Sequence, residues 1–176
     1  MGSYRLTLSV AVLVLVAGCA ERSAPAGEAP AGERSTVQRV NDGDTLTLSG
    51  GAKVRLLQID APELLDDCYG RAAHGALKQL VGAGSNVTLV RDLGLDGEDR
   101  YGRLLRYVFA GEVNVNVALV RRGAASPYFF RKQRGRYARV LLAAVEAARG
   151  ARAGYWGSCP RAELHTELGS VTGRRR

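Results

Sequence analysis

Histidine and cysteine are scarce in this chain: its 176 residues hold two of the first and three of the second, with one tryptophan and one methionine. His74 and His165 lie far apart in unlike contexts, and no Cys/His cluster has zinc-ligand spacing. A Walker loop and a His-Glu-x-x-His helix are missing as well, so P-loop nucleotide hydrolysis and that type of zinc proteolysis are excluded. The one long apolar run, residues 6–17, is too short for a comfortable membrane span. What remains is a chain able to hold one domain with a core plus tails. Its formal net charge is +8 and its pI near 9.9, which favours a polyanionic partner: nucleic acid or an anionic membrane surface. A protein poor in His and Cys that still groups its carboxylates points to an oxygen-liganded metal.

The grouping lies in residues 41–63. Asp44, Asp60, Glu63 and Arg55 sit among strands otherwise built of Leu, Val, Ile and Thr. Charges beside a core are costly unless each finds a partner, a metal or an anion. Carboxylates with a nearby carbonyl suit a hard cation such as calcium, and an arginine on a largely apolar strand suits a phosphate. The chemistry this indicates is phosphodiester cleavage.

In chain order, Arg5 and the apolar run end in Val16-Ala17-Gly18-Cys19, which resembles a bacterial lipoprotein signal. The expectation is a signal peptide over residues 1–18, lipidation at Cys19, and a flexible tether to residue 35 rich in Ala, Glu, Gly, Pro and Ser. The domain over residues 36–160 would then be extracytoplasmic, anchored to the bacterial cell membrane or released from it. Period-two alternation predicts strands over 36–40, 45–48, 53–59, 86–91 and 104–109. Helical spacing predicts helices over 69–81, 115–120 and 136–149. Residues 161–176 read as a disordered basic tail. Arg131, Lys132, Arg134 and Arg136 follow Tyr128-Phe129-Phe130, a combination open to two uses: a solvated basic face, or a groove for unpaired nucleic acid. With Cys19 lipidated, Cys68 and Cys159 remain as an even pair in an oxidising compartment, and a disulfide between them is expected.

Four motifs follow one another: Asp42-Gly43-Asp44-Thr45, Arg55-Leu56-Leu57-x-Ile59-Asp60-Ala61-Pro62-Glu63, Asp99-Arg100-Tyr101-Gly102-Arg103 and Val115-Asn116-x-Ala118-Leu119-Val120. In this order the chain resembles the thermonucleases, the staphylococcal nuclease-like family, over residues 36–158. The resemblance implies an α+β, mainly β fold: a five-stranded OB-fold barrel with three helices. It implies Ca2+ held by the carboxylates of Asp44 and Asp60 and the carbonyl of Ala61, with Asp42 behind them orienting a water on the metal. It assigns Glu63 to the attacking water, Arg55 and Arg103 to the phosphate, and Arg100, Tyr101 and Tyr128 to contacts with nucleotide. Alanine stands where the family often has threonine, a change that a backbone ligand tolerates. The activity implied is calcium-dependent endonucleolytic hydrolysis of DNA and RNA by a monomer, with a preference for single strands and 3′-phosphate products. The other reading is a non-catalytic OB-fold lipoprotein that only binds nucleic acid. The joint presence of Asp44, Arg55, Asp60, Glu63 and Arg103 favours the enzyme.

Overall fold

A computed structural model describes residues 30–173. Short runs rich in Val, Leu and Thr build a meander: β1 (Glu33–Val40), β2 (Thr45–Leu48) and β3 (Lys53–Leu56) pair antiparallel in succession. Next come the two-residue β4 (Ile59–Asp60), helix α1 (Gly70–Leu80), β5 (Asn86–Val90) and β6 (Leu104–Ala110). β5 pairs with β1 and β6 with β5, both antiparallel, and β3 then meets β6 in parallel register. The order β3-β2-β1-β5-β6 thereby closes on itself, giving the expected five-stranded barrel with no free edge between its first and last strands. Val37, Leu46, Val54, Leu56, Leu89 and Val108 fill its interior. A short β7 (Val113–Asn114) leads into α2 (Val115–Arg121). The third main helix, α3 (Ala138–Gly150), turns Leu141, Ala144, Val145 and Ala148 inward at helical spacing.

Three features depart from the sequence expectation. The first strand starts at Glu33, inside the segment read as tether, because Glu33 to Thr36 pair with Leu89 to Asn86 on β5. The predicted strand over 53–59 is broken after Leu56, with Leu57 and Gln58 forming a turn. Gln58 takes φ 59°, and Ile59 and Asp60 leave the barrel to pair with β8 (Ser126–Pro127). Asn116, fully buried on α2, holds this corner: its amide donates to Leu57 O at 2.8 Å and its Oδ1 accepts from Val108 N at 3.0 Å.

The third departure is at the C-terminus. The expected disordered tail is instead, over the described residues, an antiparallel hairpin that follows the short helix α4 (Tyr155–Ser158): β9 (Glu163–His165) and β10 (Gly169–Val171). Its order comes from contacts with distant residues. Phe129 N–H donates to Thr166 O at 2.6 Å, Cys68 N–H donates to Gly173 O at 3.0 Å, and Leu164 packs on the core.

Cys68, before α1, is bonded to Cys159, after α4, 91 residues away. In the chain-entropy description a loop of this length contributes roughly 4 kcal/mol. No helix among the described residues is long and apolar enough to cross a membrane. Residues 1–18 and Cys19, on which the signal and lipidation expectations rest, lie outside the described residues.

Candidate nuclease site

The Asp42-Gly43-Asp44 corner between β1 and β2 is shaped by a side chain on its own backbone: Asp42 Oδ1 accepts from Asp44 N at 3.0 Å. Glycine is required in the middle, since a Cβ on Gly43 would lie 2.5 Å from that of Ala61 and 3.1 Å from that of Ala73. This close approach sets Asp44 beside the strand that turns at Gln58. There Asp44 Oδ2 accepts from Ala61 N at 2.8 Å, and Oδ1 meets Arg55 Nε at 3.0 Å.

Arg55 is the hub. Its Nη2 reaches Asp60 Oδ1 at 2.7 Å, and its Nη1 donates to Leu56 O and Ile59 O at 2.8 and 2.6 Å. The break at Gln58 makes this possible, because a straight strand would carry Asp60 away from Arg55. The side chains of Arg55 and Asp44 are only 12% and 9% exposed, and that of Asp60 is 31% exposed. Burial pushes the Asp44 carboxyl up to about 7; Arg55 opposes the shift, while Asp42 and Asp60 add to it. Glu63 is exposed, just beyond Pro62, and its backbone is held in a turn with Asp67. Partial burial and the negative charges of Asp60, Asp42 and Asp67 raise its carboxyl, against the pull of Arg55.

Three acids, Asp44, Asp60 and Glu63, therefore share the field of the Arg55 guanidinium, and the charge of Asp42 adds to that of Asp44 and Glu63. Such an excess of negative charge, offered only by oxygen atoms, suits a hard cation. Among the described residues no three His, Cys, Asp or Glu side chains are grouped closely enough to hold a metal by themselves. The donor set that fits is accordingly two carboxylates supplemented by backbone and water oxygens.

The cationic half lies on the loop entering β6. Asp99, which the sequence reading left without a role, bonds Arg103 twice: Oδ2 accepts from Nε at 2.7 Å and Oδ1 from the backbone N–H at 3.0 Å. Burial opposes ionisation of Asp99, but the Arg103 N–H groups and the N–H of Tyr101 outweigh it and hold the carboxyl below its ordinary value. Arg100 and Arg103 lie 4.7 and 5.5 Å from the centre of the exposed Tyr101 ring. Arg55, Arg100, Tyr101, Arg103 and Tyr128 line one cleft of about 540 Å³, together with Phe130 and Arg131. Asp44, Asp60, Ala61 and Glu63 do not line it; Arg55 connects the two groups. A second cleft, beside Asp42, is lined by Arg39, Lys53 and again Arg103.

The sequence profile of the staphylococcal nuclease homologues matches residues 53–158, from β3 through α4. The chain belongs to this family. An endonuclease of Haemophilus influenzae, described as uncharacterised, is 38% identical over 124 residues, 68% of this chain and 64% of its own length. A thermonuclease of Staphylococcus intermedius is 30% identical over 136 residues, 71% of this chain and 79% of its own. The endonuclease YncB of Bacillus subtilis is 38% identical over 98 residues, 51% of this chain and 46% of its own. The chain thus spans less than two thirds of the first and third of these relatives.

Within this staphylococcal nuclease homologue the matched segment carries Arg55, Asp60, Glu63, Arg103 and Tyr128, while Asp42, Asp44 and the C-terminal hairpin lie outside it. The hairpin holds a residue that sequence reasoning missed. Ser170 donates from its backbone N–H and from Oγ to Asp60 Oδ2, at 2.9 and 3.1 Å. No local signal marks it, because the contact spans 110 residues. Gln58 was also missed: it binds Gln133 O and Gly135 N across the chain, fixing the segment behind Phe130 and Arg131.

Proposed function

We propose that this protein is a calcium-dependent endonuclease that hydrolyses DNA and RNA, prefers single strands and leaves 3′-phosphate ends. The observation that carries this reading is the Asp44–Arg55–Asp60 arrangement beside a cleft lined by arginines and tyrosines. Asp44, Asp60 and the Ala61 carbonyl would hold calcium, which would supply positive charge to offset that of the phosphate.

The chain's own residues do the rest. Arg55 and Arg103 bind the phosphate oxygens and stabilise charge that grows as the phosphorus becomes five-coordinate. Asp99 holds Arg103 at its backbone N–H and at Nε, and the bond to Nε orients the guanidinium before substrate arrives. Glu63 positions the attacking water and accepts its proton, and a raised carboxyl makes it the stronger base. Asp42 steadies Asp44 from behind through the Asp44 N–H. Arg100, exposed Tyr101 and half-buried Tyr128 hold the nucleotides on either side; accessible rings stack on unpaired bases more readily than on a closed duplex.

The test is cleavage of plasmid, heat-denatured DNA and RNA at equal salt in the presence of calcium. Denatured DNA and RNA should be cut faster than duplex, and binding should weaken steeply with salt, since phosphate contacts release counterions. Faster cleavage of intact duplex contradicts the assignment of the cleft.

The same reading locates the protein outside the cytoplasm, monomeric and tethered through a lipid on Cys19. A disulfide between Cys68 and Cys159 suits an oxidising compartment. The full-length chain expressed in bacteria should partition into detergent, and Cys19→Ser should move it to the aqueous phase. Unchanged partitioning of the variant contradicts the anchor.

A further inference from the structure

The C-terminal hairpin ends on a carboxylate of the site. Asp60 stands at the end of a two-residue strand, and its Oδ1 is held by Arg55 at 2.7 Å. From the opposite side β10 supplies two donors to Oδ2: Ser170 N–H at 2.9 Å and Ser170 Oγ at 3.1 Å. The approach is close. Gly169 takes φ +85°, and a Cβ there would lie 2.3 Å from Asp60 Oδ2. The hairpin is itself fixed at three places: Thr166 accepts from Phe129 N–H, Gly173 accepts from the N–H of the disulfide-bonded Cys68, and β9 registers Leu164 opposite Ser170.

A carboxylate held at one oxygen still rotates about its last bond. One held at both oxygens from opposite sides does not. Residues that hold a metal-ligating group in this way contribute to affinity without touching the metal.

We propose that Ser170 is a positioning residue for Asp60: it holds Oδ2 while Arg55 holds Oδ1, and so sets the orientation in which the carboxylate would meet the cation. This inference rests on the reading of Asp60 as a calcium ligand. It makes the C-terminal hairpin part of the active site rather than a trailing segment.

The experiment measures calcium affinity by titration calorimetry on the whole disulfide-bonded protein without nucleic acid. It is paired with the melting temperature in chelator and with the cleavage rate at limiting and at saturating calcium. Ser170→Ala should weaken calcium binding roughly tenfold, the lower end of what such supporting groups contribute, and Ser170→Thr should return it to within about twofold of wild type. In chelator, Ser170→Ala should melt within about 4 °C of wild type, the change expected for one lost hydrogen bond. Its rate at limiting calcium should fall further than its rate at saturating calcium, as a defect in calcium affinity requires. Gly169→Ala, whose Cβ displaces the carboxylate, should weaken calcium binding further than Ser170→Ala.

Wild-type calcium affinity in both folded Ser170→Ala and folded Gly169→Ala overturns the inference while leaving the calcium reading intact. A loss in Ser170→Ala that Ser170→Thr does not recover also overturns it, because the hydroxyl is then not the cause. Ser170→Ala that fails to fold assigns the residue a structural role and overturns it too. A wild-type protein that takes up no calcium overturns this inference and the calcium reading together.

Discussion

Glu63→Gln should lower turnover by about two to four decades, the usual cost of losing a positioned general base, while nucleic-acid affinity stays nearly constant. The substitution keeps the shape of the side chain and the turn that Glu63 makes with Asp67 through its backbone. It removes only charge and basicity. Substrate affinity is assigned chiefly to other groups, Arg100, Tyr101 and Tyr128 of the cleft, none of which Glu63 contacts through an ion pair. The change should therefore appear in kcat and leave KM almost untouched. Arg103→Ala should also act mainly on kcat, because the charge it stabilises is larger in the transition state than in the bound substrate. Steady-state kinetics on denatured DNA with calcium read both. Near-full activity of Glu63→Gln shows that another group activates the water.

The second large effect is on stability. Arg55→Ala removes one side chain and strips a partner from two carboxylates at once, Asp44 at 3.0 Å and Asp60 at 2.7 Å. It also leaves the carbonyls of Leu56 and Ile59 without that donor. Breaking a buried ion pair from one side costs about 3–5 kcal/mol, and the partial exposure of Asp60 argues for about 3. For a domain of this size that lowers the melting temperature by on the order of 10 °C. Arg55→Lys should recover only part of it, because an ammonium cannot reach two carboxylates and two carbonyls from fixed directions. Thermal unfolding in chelator measures the effect free of bound metal. A loss under about 1 kcal/mol would mean that the two acids are solvated rather than held by Arg55.

The barrel was legible because its strands are short runs of Val, Leu, Ile and Thr bounded by turn signals; β3 buries every second residue, Val54 and Leu56, whereas a bulge sets Val37 and Val40 three apart on β1 and all four residues of β2 are buried. The site was legible in its components. Asp44, Asp60 and Arg55 meet as their placement around adjacent strands suggests, and Arg100, Tyr101, Arg103 and Tyr128 surround one cleft with Arg55. What the sequence concealed is long-range. Gln58 adopts a left-handed backbone that glycine usually marks, and its place is secured by bonds to Gln133 and Gly135 some 75 residues on. The hairpin from Glu163 to Val171 has no apolar alternation and reads as a polar tail; Phe129, Cys68 and Asp60 give it an address. The early start of β1 has the same origin, since exposed Glu33 and Arg34 are strand residues only through their pairing with β5. Pattern methods see periodicity, and these segments are ordered by partners.

The central claim is that Asp44 and Asp60 form a calcium site beside the arginines that hold the phosphate. Cleavage of denatured DNA against free calcium, for wild type and Asp44→Ala, tests it most directly. The account predicts no cleavage in chelator, full recovery on adding calcium, and a variant that needs at least about tenfold more calcium to reach half its maximal rate. Cleavage that persists undiminished in chelator, or an Asp44→Ala protein with the calcium response of wild type, contradicts it.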